Sequence, residues 1–361
     1  CPGTFFFFND PATPEIDTLS RPDALPIYAL GIDFGTNSVR ALVADVADGA
    51  EIATDVAHYP SGEQGILLDP KDPNLARQNP ADYIRCLHKA VRGALAKAAK
   101  TRGFQAHGVV GIGVDTTGST PLPVDRQGMP LALQAEWAGD LAAHAWLWKD
   151  HTAHAEAAEI SDEARRQGQP YLAKCGGTYS SEWFWSKILH CRRASPKVFR
   201  AAYSWVEQSD FIPAYLTGRT DPDTMARNVC AAGHKAMYND AWGGLPSREF
   251  LAGIDPGLAT VRDRYAAKAE ASDRSAGLLC PGVAKTLGLA PGTPVAVGLL
   301  DAHAGAVGAG IKPDVLVKIL GTSTCDMMVV PMDRALVDVP GVSGIVPGSI
   351  VPGMYGLEAG Q

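Results

Sequence analysis

At 361 residues and 46% hydrophobic content, the chain holds enough material for two domains. Its net charge of −7 and pI near 5.7 argue against a surface built for nucleic acid or an anionic membrane. No apolar run reaches the roughly 20 residues that span a bilayer. The seven cysteines (Cys1, Cys86, Cys175, Cys191, Cys230, Cys280, Cys325) are scattered without a CxxC pair. That scatter fits reduced thiols in a cytoplasmic protein better than a disulfide frame or a zinc site.

Residues 1–27 stand apart. Phe5 to Phe8 and the stretch after them carry neither helical nor strand period, and no basic segment marks a signal peptide. The stretch resembles the translation of a common sequencing-library adapter. Its mismatches, at Pro11, Pro14, Asp17, Arg21 and Pro22, are each reachable by a single base change. These residues are expected to be non-native or disordered, and no function is sought in them.

The first patterned segment is Tyr28 to Val46, YALGIDFGTNSVRALVADV. Two β-prone runs flank a polar turn at Gly35-Thr36-Asn37-Ser38, which predicts a hairpin with Asp33 where its first strand ends. The turn offers N–H groups and hydroxyls that suit a phosphate. A plain hairpin competes equally on this segment alone. Glu51 to Tyr59 reads as a third strand. Asn79-Pro80 reads as the cap and first residue of a helix running to about Lys100, with Tyr83, Ile84, Leu87, Val91 and Leu95 as its apolar stripe. Val109 to Val114 is a buried strand that meets Asp115-Thr116-Thr117-Gly118. Strand, helix, then strand with a polar loop is an α/β order.

Helices are expected over Trp137–Gln167, Ser181–Arg193, Ser204–Tyr215 and Asp223–Ala232, the last ended by Gly233-His234-Lys235. Trp183-Phe184-Trp185 is assigned to the core. His144, His151 and His154 have near-helical spacing without acidic support, so they are read as helix surface and not as a metal site. Thr293 to Leu299 predicts a strand running into Asp301-Ala-His-Ala-Gly305 and a small-residue helix. Lys312-Pro313 reads as a linker.

The opening pattern then returns: Val315 to Leu320, Gly321-Thr322-Ser323-Thr324, Cys325 to Val330. Two such hairpins can hold the phosphates of a nucleotide from opposite sides without a Walker sequence, which is absent. Asp33 would suit Mg²⁺, directly or through water. Asp301 sits at a strand-to-helix switch. An ordinary helix cap is the competing reading, and the two phosphate hairpins favour a catalytic base.

The segments DFGTNSVRALVAD, GVDTTGSTPLPVD, LWKDHTA, CAAGHKAMY, GLLDAHAGAVGAG, VKILGTSTCDMMV, GIVPGSIVPG and YGLEAGQ resemble the bacterial ribulokinase branch of the FGGY carbohydrate kinase family, from Tyr28 to Gln361. The resemblance implies an α/β fold of duplicated actin-like ATPase (RNase H-type) domains. Residues 28–310 would be the sugar-binding domain and 311–361 the start of an incomplete nucleotide-binding domain. It implies transfer of phosphate from ATP to O5 of L-ribulose, with Asp301 as general base. Gly118, Trp148, Lys235, Asp301 and Glu358 match sugar contacts, and the turns Gly35, Thr36, Asn37, Ser38 and Gly321, Thr322, Ser323 match phosphate loops. Taken alone, Lys235 reads as a residue just past a helix, Trp148 as aromatic core and Glu358 as an acid in a glycine-rich loop. Asp115-Thr116-Thr117 departs from the aromatic second position of some relatives. The alternatives are another kinase of the family, acting on D-ribulose, xylulose, glycerol or ribitol, and a non-catalytic ATP-binding module. A stretch this short is expected to bind ATP poorly and turn over little. No nucleic-acid or membrane partner is expected, and a homodimer is the assembly admitted.

Overall fold

The computed structural model describes residues 26–266, 268–320 and 324–360. The expected hairpin forms: β1 (Tyr28–Phe34) and β2 (Ser38–Asp45) pair antiparallel around a turn closed by the Gly35 N–H donating to the Ser38 carbonyl at 3.0 Å. β3 (Glu51–His58) extends the sheet, and the short β4 (Leu67–Asp69) and β5 (Asp72–Gln78) follow. α1 (Pro80–Ala98) begins as read: the Asn79 side chain accepts from the Ala81 N–H, and Pro80 opens the first turn where its missing donor is harmless. Its apolar stripe packs on β2 and β3 within the larger hydrophobic core. β6 (Val109–Thr116) then runs parallel to β1, with Asp33 opposite Asp115.

The chain turns through β7 (Pro121–Val124) and β8 (Ala145–Trp146) before α2 (His154–Arg166). The long helix expected over Trp137–Gln167 is thus confined to its second half. Trp146 pairs with Arg77 across β5 and β8, and the Arg77 guanidinium lies 3.5 Å from the Trp146 ring and pairs with buried Asp150. A fully buried ion pair is costly to break, so it holds the segment extended against its Ala-rich composition.

α3 (Phe184–Ala194) and α4 (Pro196–Ala201) follow, and Trp183, Phe184 and Trp185 enter a second, aromatic-rich core as expected. β9 (Ser204–Glu207) pairs with β7 and gives way to α5 (Gln208–Thr217), so the first turn assigned to this helix is strand. α5 stops at Gly218, whose φ of 70° a Cβ would disfavour. After β10 (Arg227–Asn228), α6 (Val229–Ala236) starts six residues later than expected, because Asn228 caps it by accepting from the Ala231 N–H at 2.7 Å. His234 and Lys235 therefore lie in its last turn.

α7 (Arg248–Ile254), α8 (Pro256–Asp263), β11 (Ala269–Glu270), β12 (Ser275–Leu278) and α9 (Pro281–Leu287) lead to β13 (Pro294–Ala296) and β14 (Leu299–Leu300). The main sheet has the order β12-β13-β6-β1-β2-β3, with β14 also pairing with β6. β1, β6, β13 and β14 are mutually parallel through β6, so their carboxyl ends share one edge. Such an edge is where open α/β sheets present ligands.

α10 (Asp301–Gly308) leaves that edge and packs against a second sheet of β15 (Val317–Leu320), β16 (Thr324–Pro331), β17 (Ser343–Pro347) and β18 (Met354–Gly360). The second sheet is antiparallel in the order β15-β16-β18-β17, with its own small core around Ala306, Met327 and Val329. Among the described residues, no helix is long and apolar enough to cross a membrane.

Candidate active site

Three carboxylates gather at the parallel edge. Asp33 is the penultimate residue of β1, Asp115 stands opposite it on β6, and Asp301 follows β14 as the first residue of α10. Burial raises the pKa of Asp33. Burial, then the charges of Asp33 and Asp301, raise Asp115 well above the carboxylate range. Asp301 is pushed up to about 6 by burial, with Asp33 adding repulsion and the Ala302 N–H, at 2.7 Å, working the other way. Asp33 and Asp115 are in side-chain contact and Asp301 acts on them through its charge only, so the pair offers the hard oxygen donors that suit Mg²⁺ without the three closing into one ligand set.

The first turn lies beside this cluster. The Thr36 carbonyl accepts from Gln78 Nε2 at 2.7 Å, and Asn37 Nδ2 donates to the Gln64 carbonyl at 2.7 Å. Trp148 is not sealed in the core. It is partly buried, and its indole N–H donates to Thr36 Oγ1 at 3.0 Å. Thr36, Asn37, Gln64 and Trp148 line a cavity of about 380 Å³. The expected second turn, Gly321, Thr322 and Ser323, lies outside the described residues, although the flanking β15 and β16 pair antiparallel as a hairpin requires.

The loop after β6 carries Gly118. A Cβ there would overlap the side chain of Leu300, immediately before Asp301, so the absence of a side chain lets the two segments close together. Beneath this loop are two buried charges that the sequence did not single out. Glu207 accepts from the Ser119 hydroxyl and from the Thr120 N–H at 2.7 Å. Lys187 donates to the carbonyls of Ser119 at 2.9 Å, Leu147 at 2.8 Å and Trp146 at 3.3 Å. One ammonium thus ties the Gly118 loop to the strand that leads to Trp148. Burial lowers Lys187 and raises Glu207, each to about 7, and each is partly restored by the other's charge.

Lys235 and Glu358 meet directly, Nζ to Oε1 at 2.6 Å, both nearly buried. Glu358 is not in a loop as expected. It lies on β18, opposite Met327 and Ser343, because long-range pairing overrides a glycine-rich local sequence. Its other oxygen faces His303 Nε2 at 3.1 Å and His234 Nδ1 at 3.5 Å. Burial opposes both charges of the pair, yet each holds the other ionised: Glu358 falls well below its usual range and Lys235 rises. Burial takes His234 down to about 3, so it is neutral. His303 rises to about 9 against burial, through the Cys230 sulfur and then Glu358.

The structure therefore brings Asp33, Thr36, Gly118, Trp148, Lys235, Asp301 and Glu358 into one connected region. Lys235 and His303 both act on the Asp301 charge. His144, His151 and His154 take no part: His144 binds the Asp140 carbonyl and His151 faces Glu182. Among the described residues the one cluster with metal-ligand spacing is His234, His303 and Glu358, and Lys235 already occupies that carboxylate. His234 and His303 are 69 positions apart, so spacing could not reveal them. Their only sequence signal is adjacency to Lys235 and Asp301.

Residues 28–308 match the N-terminal domain of the FGGY family of carbohydrate kinases. A ribulokinase from Vibrio parahaemolyticus is 42% identical over 339 residues, covering 92% of this chain and 59% of that protein. A ribulokinase from Shouchella clausii is 40% identical, covering 92% and 58%. The chain thus spans a little under three fifths of these relatives. Among solved structures, xylulose kinase from Rhodospirillum rubrum superposes with a TM-score of 0.72 at 20% identity, covering 92% of this chain and 60% of that one. Plasmodium falciparum glycerol kinase with ADP gives 0.72 at 14% identity, covering 93% and 61%. At such identities the likeness shows the fold, which is the actin-like ATPase architecture of the sugar kinases.

Proposed function

The chain belongs to the FGGY family of carbohydrate kinases, and from that premise we propose that the full-length protein transfers the γ-phosphoryl group of ATP to O5 of L-ribulose. The sugar side is residues 28–310, and the strands from residue 311 onward begin the nucleotide side. The observation that carries the reading is Asp301: a partly buried carboxylate with a pKa near 6, at a helix N-terminus within reach of the Asp33 and Lys235 charges.

A base must be ionised at working pH yet basic enough to take a hydroxyl proton, and a carboxylate lifted to about 6 serves both needs better than an exposed one. Asp301 accepts the proton of the C5 hydroxyl as that oxygen attacks the γ-phosphorus in line. Glu358 and Lys235 grip neighbouring hydroxyls as acceptor and donor, and the Trp148 ring and Gly118 backbone wall the sugar in. Thr36 and its turn receive the phosphates, and Gly321 to Ser323, outside the described residues, are assigned the same role. Asp33, with Asp115 beside it, would hold Mg²⁺, which when bound offsets phosphate charge. Water excluded from the closed cleft cannot compete as acceptor.

Turnover of the full-length protein on L-ribulose, D-ribulose, xylulose, glycerol and ribitol, followed by ADP release, tests the assignment. L-ribulose is expected to give the highest kcat/KM; preference for another substrate moves the chain elsewhere in the family. Asp301→Asn is expected to lower kcat by about 10²- to 10⁴-fold with the KM for sugar little changed. An unaltered kcat would remove Asp301 from the role of base.

A further inference from the structure

The Trp148–Thr36 hydrogen bond joins two residues that the kinase reading assigns to different substrates. Resting on that reading, we propose that Trp148 is a positioning residue for ATP as well as a wall for sugar: its indole N–H fixes the Thr36 hydroxyl as a donor to a phosphate oxygen.

An indole nitrogen can only donate, so in this pair Thr36 Oγ1 is the acceptor. A threonine hydroxyl that accepts keeps its own hydrogen to give, and a bond received at the oxygen polarises the one it makes. Among the described residues no protein group takes that hydrogen. The Thr36 hydroxyl is thus oriented to meet an acceptor-only ligand, which is what a phosphate oxygen is.

Both ends of the bond are anchored. On the Thr36 side, Gln78 Nε2 holds the Thr36 carbonyl at 2.7 Å, and Gln78 Oε1 accepts from the Tyr83 hydroxyl at 2.6 Å. On the Trp148 side, Lys187 grips the carbonyls of Leu147 and Trp146, and β8 pairs with β5 so that Ala145 faces Gln78. The same two strands therefore set the height of the indole and of the turn. A sugar that seats against the ring fixes the indole further, so sugar occupancy stiffens the first phosphate turn.

The test is a double-mutant cycle read in Mg-ATP affinity, by calorimetry on the full-length protein without sugar. Trp148→Phe keeps an aromatic wall and removes the donor; Thr36→Val keeps the shape and removes the hydroxyl. Each is expected to weaken ATP binding roughly 5- to 10-fold. The double variant is expected to be no weaker than either single one, since both remove the same bond. Thr36→Ser, which retains the hydroxyl, is expected to bind as wild type. If Thr36→Val weakens binding while Trp148→Phe does not, or if the two effects multiply, the positioning role is overturned and the kinase reading stands. If Thr36→Val leaves ATP affinity unchanged, the phosphate assignment of the turn itself falls, and this proposal with it. Turnover of ribulose by the wild-type protein checks the kinase reading separately.

Discussion

At the scale of single residues, Asp301 makes a pH-dependent commitment. Its pKa of about 6 in the folded protein means that this carboxylate is protonated below that value, where it could not serve as the proposed base, and ionised above it. Turnover is therefore expected to rise with pH through about 6, with a slope set by one proton, and kcat measured from pH 5 to 8 checks this. The residual activity of Asp301→Asn is expected to lack that limb. Asp33 and Asp301 were legible as candidates because each sits at a local sequence boundary, Asp33 next to last in β1 before the polar turn and Asp301 where β14 gives way to α10. Gly118, Trp148, Lys235 and Glu358 were legible only through likeness to a family. Nothing within a few residues of Glu358 announces that a lysine 123 positions away will meet it. Lys187 and Glu207 were not legible at all, since a buried ammonium on carbonyl oxygens is a product of packing and looks in sequence like any surface lysine.

At the scale of elements, short-range signals held and long-range ones did not. Asn79-Pro80 and the Gly35 turn work over three or four residues, and the structure forms them as read. The stretch before α2 was assigned to a helix by composition, but Arg77 and Asp150 together commit it to a strand and loops. Packing also explains Gly298, where the link between β13 and β14 passes α5. A Cβ there would overlap the Ser209 carbonyl oxygen, which belongs to a helix backbone and cannot swing aside. Gly298→Ala is expected to destabilise the fold by about 1–3 kcal/mol. Denaturant unfolding with an unchanged midpoint would show that this link yields instead.

At the scale of the molecule, the Lys235–Glu358 pair fastens α6, on the first body of structure, to β18 in the second sheet. Removing one partner leaves the other charged and buried, so Glu358→Gln is expected to lower stability by about 3–5 kcal/mol. The sign with pH follows from the depressed Glu358 pKa: its contribution is present above the ordinary glutamate value and is lost as pH falls through the folded one. Wild-type melting temperature is expected to drop on acidification below about pH 4.3, with a shallower drop in Glu358→Gln. Parallel acid limbs in the two proteins would show that Glu358 carries no such linkage.

The order of the second sheet also constrains how the molecule comes into being. Synthesis delivers β15, β16, β17 and β18 in that sequence, yet β18 is an inner strand flanked by β16 and β17. The last of the four to leave the ribosome is thus the one that the sheet waits for, and β17 has no partner in it until then. Because β18 also carries Glu358, Asp301, the Gly35 turn and Lys235 are all synthesised before the Lys235–Glu358 pair can close. On the proposed reading, a sugar added during refolding is expected to speed only the step that seats β18.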